Sequence, residues 1–155
     1  MRAAFCGTQE GMTKWQEAQL AKTFKFFNVK ELVYRDYQGS DMKAVMVALD
    51  CGIQNFHIYP TNDSKKRGYS FPDSKELYKW LEYNAVFYKL EPRQAPMKAG
   101  DSIVLDSEML IATPKEFTNS MRSATWGIIR KAWHIKREVI TIPPVEREDE
   151  DEEGQ

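Results

Sequence analysis

The sequence predicts an α/β fold: a single three-layer sandwich of about five parallel strands, in the order 3-2-1-4-5, with helices on both faces. Apolar runs alternate with helical patterns along the chain, and this alternation implies parallel pairing with right-handed crossovers. A chain of 155 residues with 42% hydrophobic residues is long enough for one packed core. We expect the domain to span residues 1–145, with an acidic, disordered tail over 146–155.

The first strand and helix are predicted on either side of a glycine-containing turn. Residues 2–6, "RAAFC", form a short apolar run that ends at Gly7, as in a central strand entering a tight turn. A helix is predicted over 13–27, because Thr13 and Gln16 have the spacing of a capping box. Its apolar stripe would comprise Trp15, Leu20, Phe24 and Phe27.

The same unit repeats downstream. Residues 31–36, "ELVYRD", predict a second strand, and 41–52, "DMKAVMVALDCG", predict a helix that ends before Gly52. Residues 55–60, "NFHIYP", predict a third strand that Pro60 terminates. The i, i+3, i+4, i+7 spacing selects the buried face of the second helix as Met42, Val45, Met46 and Leu49.

The C-terminal part repeats the alternation after an irregular excursion over about 61–97. We predict a fourth strand in "EMLIATP" (108–114), a helix in "SATWGIIRKAWHI" (123–135) and a last strand in "REVITIPP" (137–144). Within the excursion, "DSKELYKWLEY" (73–83) predicts one helix, and "AVFYKLEP" (85–92) fits a short strand or an extended segment. Such an excursion is often a lid or a binding loop.

This Rossmann-like arrangement predicts where a ligand binds. Ligands of open parallel sheets bind at the carboxyl edge where the strand order reverses, which is here between strands 1 and 4. The two loops at that point, "GTQEGMT" and "TPKEFTNSMRSATW", run into helix N-termini, whose free N–H groups favour phosphate. Their candidate ligand-binding residues are Gly7, Thr8, Gly11, Thr13, Arg122, Ser123 and Thr125.

Several function classes are excluded or disfavoured. The sequence has neither G-x-x-x-x-G-K-[ST] nor G-x-G-x-x-G after the first strand, which argues against a P-loop NTPase and an ordinary NAD dehydrogenase. Cys6, Cys51, His57 and His134 lack zinc-site spacing, so we expect no metal and no cofactor. A lack of any signal-peptide pattern or long apolar stretch predicts a cytoplasmic protein without membrane contact.

Charge is distributed unevenly along the chain. The tail "EREDEDEEGQ" contains seven acids and one arginine, so residues 1–145 carry 21 basic and 16 acidic side chains, a net charge of +5. A basic domain suits an anionic ligand, although scattered surface lysines give the same count. The tail either raises solubility or competes with anions for the basic face.

Four motifs in order resemble the SLOG superfamily, which includes DprA/Smf proteins and LOG phosphoribohydrolases and binds nucleotides or nucleotide-derived ligands on a Rossmann-like fold. The motifs are "FCGTQEGMT", "YRDYQGSD", "DSIVLDSEMLIATPKE" and "RSATWGIIRKAWHIKREVITI". They are most similar to a bacterial and phage branch with the pattern T-G-T-R-x-G-M-T, H-G-D-C-x-G-A-D, N-R-x-I-V-D-x-x-D-x-L-I-A-x-P and R-S-G-T-W. The resemblance covers residues 3–142 except the excursion.

The resemblance implies a set of ligand-binding positions. The backbone of 122–125 would lie near phosphate, and Asp36 or Asp41 near a sugar hydroxyl. The sequence departs from the pattern at Gln9, which replaces an arginine, at Tyr34, Arg35 and Tyr37, which replace His, Gly and Cys, and at Gly100 and Ala124, which replace asparagine and glycine. The matching positions are Gly7, Thr8, Gly11, Asp36, Gly39, Asp41, Arg122, Ser123, Thr125 and Trp126, with Gln9 beside them.

The resemblance leaves the choice between an enzyme and a binding protein open. LOG enzymes carry P-G-G-x-G-T-x-x-E, and aligning G-T on Ala124 and Thr125 places Ile128 at the glutamate. A nucleoside monophosphate N-glycosidase needs a carboxylate, for which Glu10, Asp41 and Glu116 are candidates. We favour nucleotide binding without catalysis, because each acid also suits a helix-dipole partner or a solvated loop charge.

A third alternative is single-stranded nucleic-acid binding, since DprA-type relatives hold single strands with this fold. A mixture of basic and aromatic side chains can stack bases and track phosphates. The alternative ranks last because "NDSKKRG" is also typical of an ordinary exposed loop. The expected partner is a nucleotide-like small molecule, and the sequence leaves a homo-oligomer open. The basic and aromatic residues are Arg35, Tyr37, Lys65, Lys66, Arg67, Tyr69 and Phe71.

Overall fold

The structure, a computed structural model, describes residues 1–70 and 86–145. Its sheet has six strands in this part of the chain, all paired in parallel, in the order β4-β3-β2-β1-β5-β6. The strands are β1 (Arg2–Gly7), β2 (Glu31–Tyr34), β3 (Asn55–Ile58), β4 (Phe87–Leu90), β5 (Met109–Thr113) and β6 (Glu138–Thr141).

Four described helices cover the two faces of the sheet. Helices α1 (Lys14–Phe26) and α2 (Ser40–Asp50) pack on the face to which Ala3 and Phe5 of β1 contribute. Helices α3 (Pro96–Leu105) and α4 (Ala124–His134) pack on the opposite face, against Ala4 and Cys6. The alternation along β1 therefore feeds two separate cores, as expected for a strand buried on both sides. No described helix has the length and apolar character needed to cross a membrane.

The predicted α/β class and strand order are confirmed, with one addition. The five predicted strands are β3, β2, β1, β5 and β6 in the observed order. The sixth, β4, pairs with β3 from Asn55↔Phe87 to Ile58↔Leu90, so the segment that fitted a strand or an extended stretch is a strand. Its side chains are largely exposed, which explains its weak hydrophobic pattern.

The sequence pattern missed α3 entirely. This helix has Pro96 at its first turn, no side-chain cap and Gly100 in its middle, so its local signal is weak. Its position depends on packing, because a Cβ at Gly100 would lie 3.1 Å from Ile128 Cγ1 of α4. Close approach between two helices far apart in sequence therefore defines this element.

The predicted buried face of α2 is wrong by a rotation about the helix axis. Met46 is 57% exposed, whereas Asp41, Ala44, Val45 and Ala48 are buried. Both sets have the i, i+3, i+4, i+7 spacing, so periodicity alone did not distinguish them. The small alanines allow close packing on the sheet, and the large methionines occupy the flank.

The predicted start of α1 and end of α2 are confirmed. Thr13 caps α1 in a capping box with Gln16, and Gly52 follows α2 with a φ of +83°. The helix predicted over 73–83 and the acidic tail predicted over 146–155 lie outside the described residues.

Candidate functional site

A cleft lies at the carboxyl edge of the sheet, where the strand order reverses between β1 and β5. It consists of two adjoining cavities, one of about 290 Å³ and one of about 430 Å³. We call the first the polar cavity, after Thr8, Gln9 and Thr125, and the second the apolar cavity, after Met97 and Ile128. Six residues line both cavities, and we call them the shared wall: Arg35, Tyr37, Lys66, Arg122, Ser123 and Ala124.

The N-terminus of α4 forms one side of the shared wall. The Ser123 hydroxyl caps the helix by accepting a hydrogen bond from Trp126 N at 3.1 Å. The N–H groups of Ala124 and Thr125 donate to no acceptor among residues 1–70 and 86–145. Because first-turn N–H groups have no partner within their helix, these two remain available to an anion.

A second part of the shared wall is the side chain of Arg35, the residue directly after β2. Its side chain is buried, with 3% exposure, and its guanidinium lies 3.8 Å from the centroid of the Tyr37 ring. Within the described part of the chain Arg35 forms no ion pair, and its Nε has no hydrogen-bond partner. Its counter-charge inside the protein is the buried Asp41 carboxylate, which lies outside both cavity linings and forms no ion pair with it. The guanidinium can therefore also stabilise an anion that enters the cleft.

Backbone pairing brings Lys66 to the same wall. Gln38 N donates to Lys66 O at 2.8 Å and Gly68 N donates to Asp36 O at 2.7 Å, so residues 66–68 run beside the β2–α2 loop. The Lys66 ammonium consequently lies 6.0 Å from the Tyr37 ring. Arg122, on the α4 side, is exposed and has no ion-pair partner in the described ranges.

Eight of the sequence-predicted residues line the polar cavity, but their contacts differ. Gly7 serves packing, because a Cβ there would lie 2.4 Å from Ser40 Cβ and from Thr113 Oγ1. Glu10 pairs with Lys115 at 2.7 Å. The eight are Gly7, Thr8, Gln9, Glu10, Glu116, Arg122, Ser123 and Thr125.

The remaining predicted residues do not line either cavity. Asp36 is buried, pairs with Arg67 at 3.1 Å and accepts a hydrogen bond from Ser70 N at 2.9 Å. Gly39 has a φ of +83°, and a Cβ there would lie 2.1 Å from the Gln9 carbonyl oxygen. These contacts hold loops together at the cleft's base. The residues outside both linings are Gly11, Asp36, Gly39, Asp41 and Trp126.

Asp41 is a buried carboxylate behind the shared wall. Its Oδ2 accepts a hydrogen bond from Tyr37 N at 3.0 Å, and its Oδ1 has no partner among the residues described. Burial raises the pKa of Asp41 to about 6, although the positive charge of Arg35 opposes this shift. The carboxylate therefore serves as an internal counter-charge to Arg35 and orients the Tyr37 backbone.

The capping side chains of α1 bind protein groups, and this N-terminus lies outside the cleft. Thr13 Oγ1 accepts from Gln16 N at 3.1 Å, and Gln16 Oε1 accepts from Thr13 N at 2.9 Å. The Thr13 hydroxyl itself donates to Pro144 O, and Gln16 Nε2 donates to Pro114 O at 2.8 Å and Ile142 O at 3.0 Å. Thr13 lines neither cavity, so its hydroxyl contributes to capping and not to the cleft.

The three candidate acids have different surroundings. Glu10 is paired with Lys115, and Asp41 lies outside both linings. Glu116 lines the polar cavity, and its Oε1 is buried without a hydrogen-bond partner in the described structure. Ile128, at the position aligned with the LOG glutamate, is 7% exposed and lines the apolar cavity.

The cleft also contains residues that the ligand-site prediction omits. Arg35, Tyr37 and Lys66 line both cavities, but the sequence marks them only as departures from the family pattern or as basic and aromatic residues, and Lys115 lines the polar cavity. The signal for the first two is the basic and aromatic character of "RDY" directly after β2. Of the residues proposed for nucleic-acid binding, Arg67 is instead held by Asp36 and lies over Tyr69, and Phe71 is outside the described residues.

Comparison with known proteins does not assign a family. No protein-family model matches the chain, and no curated protein matches it significantly. In the described ranges, no group of three or more His, Cys, Asp or Glu side chains is placed to hold a metal ion. The chemistry of the cleft is therefore argued from its own residues.

Proposed function

We propose that this protein binds a nucleotide or nucleotide-derived ligand in the cleft, with a phosphate between the α4 N-terminus and Arg35. The observation that carries the proposal is the buried Arg35 guanidinium, which lines the cleft and forms no ion pair with any described residue. Phosphate oxygens accept strong charge-assisted hydrogen bonds from guanidinium groups. The N–H groups of Ala124 and Thr125 add donors from the opposite side.

The remainder of the cleft suits the rest of a nucleotide. Thr8, Gln9 and Thr125 offer polar groups for a sugar or base edge, and Met97 and Ile128 offer an apolar surface. The four SLOG-like motifs support the same proposal, since each of them contributes residues to the lining of the cleft. Ala124 replaces the family's glycine without strain, because it is the first residue of α4 and has no positive φ.

Calorimetric titration of mono-, di- and cyclic nucleotides tests the proposal. We expect at least one to bind with Kd below about 1 mM, equivalent to about −4 kcal/mol. Arg35→Met should weaken that binding tenfold or more, whereas Lys65→Met, at an exposed lysine outside both linings, should not. A thermal melt shows whether Arg35→Met remains folded. Absence of binding across the panel would reject the proposal.

A specific observation supports a second candidate, N-glycosidic cleavage of nucleoside monophosphates. Glu116 is the one candidate acid that lines the polar cavity without a described cation partner. A carboxylate in that position would stabilise an oxocarbenium-like centre or activate water. We rank this function second, because Ile128 provides neither a proton nor an anion where LOG enzymes have their acid.

Chromatographic detection of released base distinguishes the two candidates. We expect adenosine, cytidine, guanosine and deoxynucleoside monophosphates to release no base above background. Release that disappears in Glu116→Gln, and persists in Glu10→Gln and Asp41→Asn, would promote the hydrolase and identify its acid.

A further inference from the structure

The two cavities of the cleft meet at the shared wall, and the unpaired positive charge is concentrated there. Lys115, which lines only the polar cavity, is neutralised by Glu10 at 2.7 Å. Lys131, which lines only the apolar cavity, lies 3.7 Å from Asp101. Arg35, Lys66 and Arg122, the cations common to both cavities, have no ion-pair partner in the described structure. The cleft therefore attracts an anion most strongly at the shared wall.

The two ends of the cleft differ in polarity. The polar cavity is bounded by hydroxyl and amide groups, including Thr8 and Gln9. The apolar cavity is bounded by Met97 and Met121, which are 84% and 80% exposed, and by the buried Ile128. Exposed methionines adapt to flat ring systems, so this end suits a base or another flat organic group. Each end can thus hold an organic part of one ligand.

The size of the cavities also favours a ligand that occupies both. Small-molecule pockets typically enclose about 300–1,000 Å³. The polar cavity, at about 290 Å³, is just below this range, and the apolar cavity, at about 430 Å³, is near its lower end. Because six residues line both cavities, the two spaces adjoin at the shared wall.

We infer that the preferred ligand is a dinucleotide, in which a phosphodiester or pyrophosphate joins two nucleosides. This inference rests on the proposed function and specifies its ligand. The bridging phosphate lies against Arg35, Lys66 and Arg122, and one nucleoside occupies each cavity. A nucleoside monophosphate carries its phosphate at one end, so it fills one cavity and leaves the other empty.

Calorimetry with matched ligands tests the inference. The probes are the dinucleoside monophosphates ApA, GpG and UpU, the corresponding pyrophosphate-linked dinucleotides, AMP, GMP and UMP, and ten-nucleotide single strands. We expect the best dinucleotide to bind at least tenfold more tightly than the best mononucleotide. A single strand should bind no more tightly than its dinucleotide, because two cavities hold two nucleosides.

Variants in the apolar cavity provide a second test of the inference. Met97→Ser combined with Met121→Ser should weaken dinucleotide binding at least fivefold, because the apolar cavity loses the surface that holds one of the two nucleosides. Met46→Ser, an exposed methionine on α2 outside the cleft, is the matched control and should leave dinucleotide binding unchanged.

Each outcome decides between the inference and the function on which it rests. A mononucleotide that binds as tightly as the best dinucleotide rejects the inference and leaves the proposed function in place. Tighter binding of the ten-nucleotide strand also rejects it and identifies single-stranded nucleic acid as the ligand. Absence of binding by every probe rejects both.

Discussion

Helices α1 and α4 begin at the same edge of the sheet with similar sequence signals, yet of the two only α4 begins in the cleft. We call the start of α4 the open end, and we call the start of α1, which lines neither cavity, the closed end. Both have a hydroxyl cap, Thr13 in α1 and Ser123 in α4. At α1, the cap is closed by Gln16 and covered by the Pro144 carbonyl. At α4, the residues after Ser123 line both cavities.

This difference teaches that a helix N-terminus becomes a candidate anion site only where it lies in a cavity that admits a ligand. First-turn N–H groups have no partner within their helix and are satisfied by side chains, backbone carbonyls or ligands. At α2, Ser40 N donates to Thr8 O at 3.1 Å and Ser40 Oγ donates to the same oxygen at 2.7 Å, and no residue of α2 lines the cleft. Of α1, α2 and α4, it is α4 whose first residues line the cleft, so we assign the ligand to α4.

The largest expected effect is on stability, at the closed end. Gln16 is 1% exposed, and its side chain makes hydrogen bonds to Thr13, Pro114 and Ile142. Gln16→Ala should destabilise the fold by about 3 kcal/mol or more, because buried polar groups lose their partners. Chemical denaturation measures this loss. Gln19→Ala, on the same helix, should cost far less, and an equal loss in both variants would contradict the assigned role of Gln16.

The next effect concerns Asp41 in the first turn of α2. In the folded protein, burial raises the pKa of the Asp41 carboxyl from its ordinary value of 3.8 to about 6. Between these values the folded state binds more protons than the unfolded state. Burial of Asp41 should therefore lower stability as pH rises from about 4 to about 6, by up to about 3 kcal/mol.

Denaturation at several pH values checks this dependence. Asp41→Asn has no carboxyl to ionise at this position, so its free energy of unfolding should not show this fall. The variant should become more stable than wild type as pH rises through this window. Asp50→Asn, at the exposed end of the same helix, should keep the wild-type slope. A wild-type slope in Asp41→Asn would show that Asp41 titrates normally.

At the open end, the principal effect should be on binding. Arg122→Ala should weaken nucleotide binding by about 1.5 to 3 kcal/mol, as expected for loss of a charge-assisted hydrogen bond. Stability should change little, because Arg122 is exposed. Calorimetry on Arg122→Ala and on Arg93→Ala, an exposed arginine outside the cleft, makes the comparison. If folded Arg122→Ala binds the nucleotide with wild-type affinity, Arg122 is an exposed residue that does not contact the ligand.

The smallest effect compares the two caps directly. Thr13→Ala and Ser123→Ala should each destabilise the fold by about 1 kcal/mol, the usual value for loss of an N-cap. Only Ser123→Ala should also weaken nucleotide binding, because Ser123 lines both cavities and Thr13 lines neither. A parallel series of melts and titrations tests this, and equal binding losses in both variants would remove the distinction between the helices.

Local signals account for what the sequence predicted well. The capping box of α1 needs only the spacing of Thr13 and Gln16, and β1 needs only a short apolar run before Gly7. Long-range packing accounts for what was missed. Helix α3 is positioned by the contact of Gly100 with Ile128, and the buried face of α2 is selected by alanines that fit the sheet.

The candidate site was predicted only in part for the same reason. The strand order identified the correct edge, and the cap at Ser123 marked one wall. The opposite wall depends on Arg35 stacking on Tyr37 and on backbone pairing that brings Lys66 alongside. Residues that are far apart in the chain and meet only in the fold produce no periodic pattern in the sequence. Likewise, nothing local distinguishes the covered cap at Thr13 from the open cap at Ser123.

Nuclear magnetic resonance of backbone amides tests the central claim most directly. The protein is titrated with the tightest-binding nucleotide of the panel while the amide signals of both helix starts are followed. We expect the largest shifts at Ser123, Ala124 and Thr125, with the amides of residues 13–16 nearly unchanged. Larger shifts at 13–16 than at 123–125 would contradict the account, because they would place the anion at the start of α1, which lines neither cavity.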